Sequence, residues 1–180
     1  MIEYIALLRA VNVGGKNKVT MSILKQEMQT KGFQNVITYI NSGNILFDSE
    51  FSKEHNTDIL RSIIKDSFNL DIDVIIVSTK DLEESLSFVP VWWHDGNKEV
   101  VHNALFLFDP KTRDEMLEYT QNYDSDIESV FIYEDMIFWS ANRPSYTKTK
   151  LGKLGSTRLY QNMTIRNSNT VHRLIELAKK

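Results

Sequence analysis

Two polar, glycine-containing segments hold the residue types best suited to grip an anion. The first is Arg9-Ala10-Val11-Asn12-Val13-Gly14-Gly15-Lys16-Asn17-Lys18, and the second is Asn41-Ser42-Gly43-Asn44. Glycine lets backbone approach a ligand closely, and guanidinium and ammonium groups donate charge-assisted hydrogen bonds. Thr20 is placed to cap a helix, whose start offers unpaired N–H groups and a partial positive charge. The pattern is not a P-loop, because Gly-x-x-x-x-Gly-Lys-Ser/Thr is absent. The candidate ligand-binding set is Arg9, Asn12, Gly14, Gly15, Lys16, Lys18, Asn41, Ser42 and Asn44. The plainer account is turn chemistry, with Gly43 taking a positive φ, Asn41 capping the turn and the lysines solvated.

Other constellations are poorer. The chain has no cysteine, which excludes disulfides, thiolate metal sites and cysteine nucleophiles. His55, His94, His102 and His172 show no metal spacing and no His-Glu-x-x-His. Ser42 does not sit in Gly-x-Ser-x-Gly. Asp71 and Asp73 could share a strand face and hold a divalent cation, but solvating a turn is the simpler use. Glu83-Glu84 fits an exposed helix face, and Trp92 and Trp93 fit an apolar lid. His102 at a strand start reads as structural. No metal, no cofactor and no assigned catalytic residue are expected.

The net charge of −3 hides an asymmetry. From Asn142 to Lys180 there are nine bases and one acid, a net of +8, so the remainder carries −11. Lys148, Lys150, Lys153, Arg158 and Arg166 are therefore a candidate polyanion-binding set. The alternative is that the acidic and basic parts offset each other on one solvated surface. A smaller basic island, Arg9, Lys16, Lys18 and Lys25, contains no acid between Glu3 and Glu27.

The elements that must position these residues follow from periodicity. Ile2–Arg9 alternates as a strand, and Met21, Leu24 and Met28 give one face of a helix from Thr20 through Lys31, closed by Gly32. Val36–Ile40 and Ile45–Asp48 form a hairpin, Ser52–Phe68 a helix and Ile72–Val77 a strand. A short helix over Asp81–Phe88 and a connector with both tryptophans lead to a second round. There His102–Phe108, Ile127–Tyr133, Met136–Ser140 and Met163–Arg166 are strands. Lys111–Gln121 and Ser145–Leu154 are helices, and Ser168–Lys179 is an added amphipathic helix. The order β-α-β-β-α-β predicts an α+β chain of two ferredoxin-like subdomains with an added C-terminal helix. Residues 1–78 form the first, 79–99 a linker with a short helix, and 100–180 the second with the terminal helix. At 180 residues the chain can bury a core without metal or disulfide.

The segments Leu7 through Val19 and Tyr39-Ile40-Asn41-Ser42-Gly43-Asn44-Ile45-Leu46-Phe47 resemble the bacterial domain of unknown function 1697 family. Thr164-Ile165-Arg166-Asn167-Ser168-Asn169-Thr170-Val171 resembles its C-terminal signature, with Ser168 where that signature carries tryptophan. The resemblance spans nearly the whole chain. It implies an α+β protein with ferredoxin-like subdomains and brings no established activity.

In a ferredoxin-like sheet the first and third strands are neighbours, so the two polar segments should meet at one sheet end and line a small pocket. The function expected is binding of a phosphate-containing or other anionic ligand, with nucleic acid as an alternative partner. An enzyme acting on a small anionic metabolite and a protein-interaction module are the other two readings. Strands Ile5-Ala6-Leu7-Leu8 and Ile45-Leu46-Phe47 lack the aromatic pattern of single-strand RNA readers. No apolar run approaches the ~20 residues of a membrane span, and Met1-Ile2-Glu3-Tyr4 lacks signal-peptide regions. A cytoplasmic protein with no membrane partner is expected.

Overall fold

The computed structural model describes residues 1–179, so Lys180, the last base of the C-terminal stretch, lies outside the described residues. The described chain is α+β, with two four-stranded antiparallel sheets. It groups into two compact units, Met1–Glu83 with the residues from Leu174 on, and Glu84–Arg173. No helix among the described residues is long and apolar enough to cross a membrane.

The first unit runs β1 (Ile2–Leu8), α1 (Met21–Thr30), β2 (Gln34–Tyr39), β3 (Asn44–Ser49), α2 (Lys53–Phe68) and β4 (Val74–Ser78). Its sheet order is β2-β3-β1-β4. Alternation sets the faces. Tyr4, Ala6, Leu8, Ile45, Phe47 and Ile76 point to one side and join Leu24 and Met28 of α1 and Leu60, Ile63 and Ile64 of α2. Ile5, Leu7 and Leu46, on the other face, are buried as well. Ser52 caps α2 by accepting from the His55 N–H, and Asn69 closes it in the left-handed conformation. Gly32, at φ +94°, follows α1 as its pattern demands. Helix α3 (Thr79–Phe88) follows β4.

The second unit holds β5 (Val100–Leu107), α4 (Pro110–Tyr119), β6 (Glu128–Tyr133), β7 (Met136–Asn142) and β8 (Met163–Asn167), in the order β6-β7-β5-β8. Leu105, Leu107, Ile137 and Trp139 pack with Met116, Leu151, Leu154, Leu159 and Met163. Asp109 caps α4 by accepting from the Thr112 N–H at 2.9 Å. Helix α5 (Ser168–Ala178) follows β8.

The helix expected over Ser145–Leu154 is absent, and three 3-10 turns stand there instead: Arg143–Lys148, Leu151–Ser156 and Arg158–Asn162. Local side-chain bonds outcompete the α-helical ladder. Thr149 Oγ1 donates to the Tyr146 carbonyl at 2.7 Å and accepts the Gly152 N–H at 2.9 Å. The buried Glu128 carboxylate accepts the Lys150 and Leu151 N–H groups at 2.6 and 3.3 Å. A Cβ at Gly152 would overlap the Tyr146 carbonyl, so only glycine lets these turns approach so closely.

Gly43 tests the close packing of the loop end. It sits at φ +77°, and a Cβ there would lie 2.6 Å from Leu8 Cβ and 2.7 Å from Val11 Cγ2. Gly43→Ala is expected to destabilise by about 3 kcal/mol, combining overpacking with left-handed strain. Gly14, at φ +57° with open space around it, should lose only about 1 kcal/mol as alanine. Urea unfolding of the two variants measures the difference.

Candidate functional site

The first sheet brings three connections to one end. Register pairs Leu7 with Asn44, Tyr39 with Asn44 and Leu8 with Val74. The 9–20 loop, the 40–43 turn and the 69–73 connection therefore share that end. Leu8 N–H donates to the Gly43 carbonyl at 2.8 Å and Arg9 N–H to the Asp73 carbonyl at 2.9 Å.

One side chain joins the two polar segments. Asn12 Nδ2 donates to the Val19 carbonyl at 2.9 Å and to the Asn41 carbonyl at 2.8 Å. Asn12 Oδ1 accepts the Val19 N–H at 2.9 Å. Asn12 holds φ +56°, a left-handed value that asparagine tolerates. Asn17, also left-handed, donates from Nδ2 to the Ala10 carbonyl at 3.1 Å. Between them, Lys16 N–H donates to the Val13 carbonyl at 3.0 Å, and Gly14 and Gly15 both have positive φ. That is a two-residue turn of the primed kind, which explains the glycine pair without a ligand.

The candidate residues thus divide. Asn12 and Asn44 are framework. Asn44 is 0% exposed, and its Nδ2 donates to the Tyr39 carbonyl at 3.1 Å and Ser42 Oγ at 3.0 Å. Gly14, Gly15, Lys16, Lys18 and Asn41 are exposed, while Arg9 and Ser42 are half-buried. Thr20 takes the N-cap position of α1 without a side-chain bond to the helix. The third connection adds acid to this end. Asp71 pairs with Arg61 at 3.1 Å and Asp73 is exposed, so the local charge is mixed rather than purely positive. No group of three or more His, Asp or Glu among the described residues is arranged to hold a metal.

The polyanion set is also divided. Lys148, Lys153 and Arg158 are exposed, and the Arg158 guanidinium stands 4.0 Å from Glu115. Lys150 Nζ donates to the Gln121 carbonyl at 2.5 Å and lies over the Tyr119 ring. Arg166 does not join the surface cations. It is 7% exposed, with Nη1 donating to Thr164 Oγ1 at 2.8 Å and to the Ile165 carbonyl at 2.9 Å. Burial lowers its pKa to about 10, which leaves it cationic at neutral pH. Strand alternation with an inward guanidinium separates it from its basic neighbours.

The second unit also gathers three of the four histidines, a convergence that spacing along the chain hides. His94 and His172 stack with ring centroids 4.0 Å apart, and His94 Nδ1 lies 3.1 Å from Ser168 Oγ. His102 Nδ1 is 2.6 Å from Ser140 Oγ, while Nε2 lies 3.2 Å from Asp95 Oδ1 but off the hydrogen-bond direction. Serine, imidazole and carboxylate in a row is the arrangement that activates a nucleophile. Here Ser140 and His102 are both buried on the sheet, so the row acts as a polar clasp. Trp93 Nε1, donating to the Asn103 carbonyl at 2.9 Å, adds a second tie from the same connector to β5.

The chain belongs to the family described as protein of unknown function (DUF1697), which matches residues 1–138. It is similar to the solved conserved bacterial protein SP0830 from Streptococcus pneumoniae, with 31% identity, 98% of each chain covered and a TM-score of 0.86. No curated protein matches.

Two outcomes check this geometry. Asn12→Ala removes the bonds to Val19 and Asn41 and puts alanine at φ +56°. It should destabilise by about 2 kcal/mol, read from urea unfolding. The second concerns pH. Burial chiefly lowers the His102 pKa, assisted by His94 and opposed by Asp95. Below the ordinary histidine value of about 6.5 the unfolded chain binds a proton that the folded chain refuses. Stability should therefore fall as pH drops through that value, and His102→Gln should flatten this part of the urea-midpoint profile between neutral and mildly acidic pH.

Proposed function

We propose that the chain is a cytoplasmic binding protein for a small phosphate-bearing or other anionic ligand, held at the loop end of the first sheet by Lys16, Lys18, Asn41 and Arg9. The observation that carries this is the Asn12–Asn41 bond of 2.8 Å, which fixes the cationic loop against the hairpin. A loop ordered in this way loses less entropy on binding. The strand orders β2-β3-β1-β4 and β6-β7-β5-β8 support reading each unit as a ferredoxin-like subdomain, with 3-10 turns replacing the second helix in the second.

Calorimetric titration with pyrophosphate tests the reading. Saturable binding is expected, weakened at least about tenfold in the Lys16→Ala/Lys18→Ala variant with its melting temperature unchanged. A single-anion site should lose affinity slowly with salt, whereas contact with many phosphates of a nucleic acid gives a steep slope. Pyrophosphate that does not bind, or binds the double variant equally well, overturns the assignment.

A further inference from the structure

We propose that the free edge of β6 takes up an extended segment of another protein as an added strand. That segment has an uncharged middle and a basic residue at each end. Strand β6 is an outer strand of its sheet, beside β7. Asn142 N–H donates to the Ile127 carbonyl at 3.0 Å. By alternation Ser129, Phe131 and Tyr133 aim their backbone groups at β7, and Glu128, Val130 and Ile132 aim theirs away. The Glu128 N–H is taken by the Asp124 carbonyl at 3.1 Å. Nothing among the described residues bonds the outward N–H and C=O groups of Val130 and Ile132.

Such an edge is a template for strand pairing unless a bulge, a proline or a charge guards it. Strand β2, an outer strand of the first sheet, is interrupted between Gln34 and Ile37, with Asn35 at φ +49°. From Ser129 to Tyr133, β6 pairs without interruption, holds no charge and no proline, and is half-exposed throughout. The charge lies beyond its ends. Asp124 and Asp126 precede the strand, and Glu134 and Asp135 form the turn after it. All four are exposed, and none is paired to a cation among the described residues. They select the occupant. Two copies paired antiparallel along β6 would set acids against acids at both ends, where opposed like charges destabilise a sheet. A segment with lysine or arginine at each end meets opposite charge at both, while main-chain bonds to Val130 and Ile132 supply the pairing. At about 3.4 Å per residue, Asp126 to Glu134 spans roughly 27 Å, so the two cations stand about eight residues apart.

Fluorescence anisotropy with the labelled peptide Lys-Thr-Val-Thr-Val-Thr-Val-Thr-Lys tests the proposal. Saturable binding is expected, with hydrogen exchange at the Val130 and Ile132 amides slowed at least about tenfold. Asp126→Asn/Glu134→Asn should bind it at least about threefold more weakly. The variant should keep its melting temperature, since asparagine suits the φ of +47° at Glu134. Glutamate in place of both lysines, or N-methyl groups along the peptide backbone, should abolish binding. No binding, equal binding of either control peptide, or unchanged exchange at Val130 and Ile132 overturns the proposal. So does a free protein that sediments as a dimer with those two amides already protected, which gives the edge to a second copy.

Discussion

The Asn12 side chain supplies the bonds that strand pairing cannot. Beyond the Leu7–Asn44 pair the β1–β3 ladder ends, and two loops would otherwise leave independently. Asn12 bridges them through its amide, and the same amide ties the loop to Val19 at the entrance to α1. Beneath this polar clamp, Leu8 and Val11 are buried against Gly43, where no side chain fits. Polar satisfaction above and tight packing below fix one arrangement of both loops. The two contributions are coupled, because backbone that shifts to make room at Gly43 also moves the Asn41 carbonyl.

The second unit uses a comparable device to a different end. Glu128, buried on β6, accepts two successive backbone N–H groups at the start of a 3-10 turn. That carboxylate stabilises turns where a helix would have been expected. Two cations of the C-terminal basic stretch have internal partners as well: Lys150 on Gln121 and Tyr119, Arg166 on Thr164. In the first unit the clamp is neutral, so Lys16 and Lys18 remain exposed at its rim. A basic sequence stretch and a basic surface are therefore different things here, and the shorter basic island presents its charge more freely than its length suggests.

Much of this was legible in the residues. Alternation at Ile2–Leu8 and apolar stripes in Met21–Thr30 and Lys53–Phe68 identify elements whose packing permits no other face. Meeting of the Arg9–Lys18 and Asn41–Asn44 segments follows once β1 and β3 are neighbours. What could not be read is which polar residue faces inward. Asn12, Asn41 and Asn44 look alike in sequence, yet one clamps, one is exposed and one is fully buried. Arg166 falls in a basic run but points inward. The Ser145–Leu154 helix failed because Glu128, distant in sequence, captures its backbone. His94 stacks on His172 of α5, and His102 of β5 meets Ser140 of β7, contacts that no local spacing encodes.

Rigid backbone and long, adjustable side chains stand side by side at the loop end. Ala10, Asn12, Asn17 and Ile40 all hold positive φ, so this backbone is fixed in conformations that an unconstrained chain would seldom visit. Hydrogen bonds from Asn12, Asn17 and Asn44 hold it there. Lysine ammonium groups, by contrast, are mobile point charges on long stems and adjust to an anion without demanding one geometry. Asp73 is exposed at the same sheet end, so the fixed charge there is of both signs and its field is short-ranged in salt.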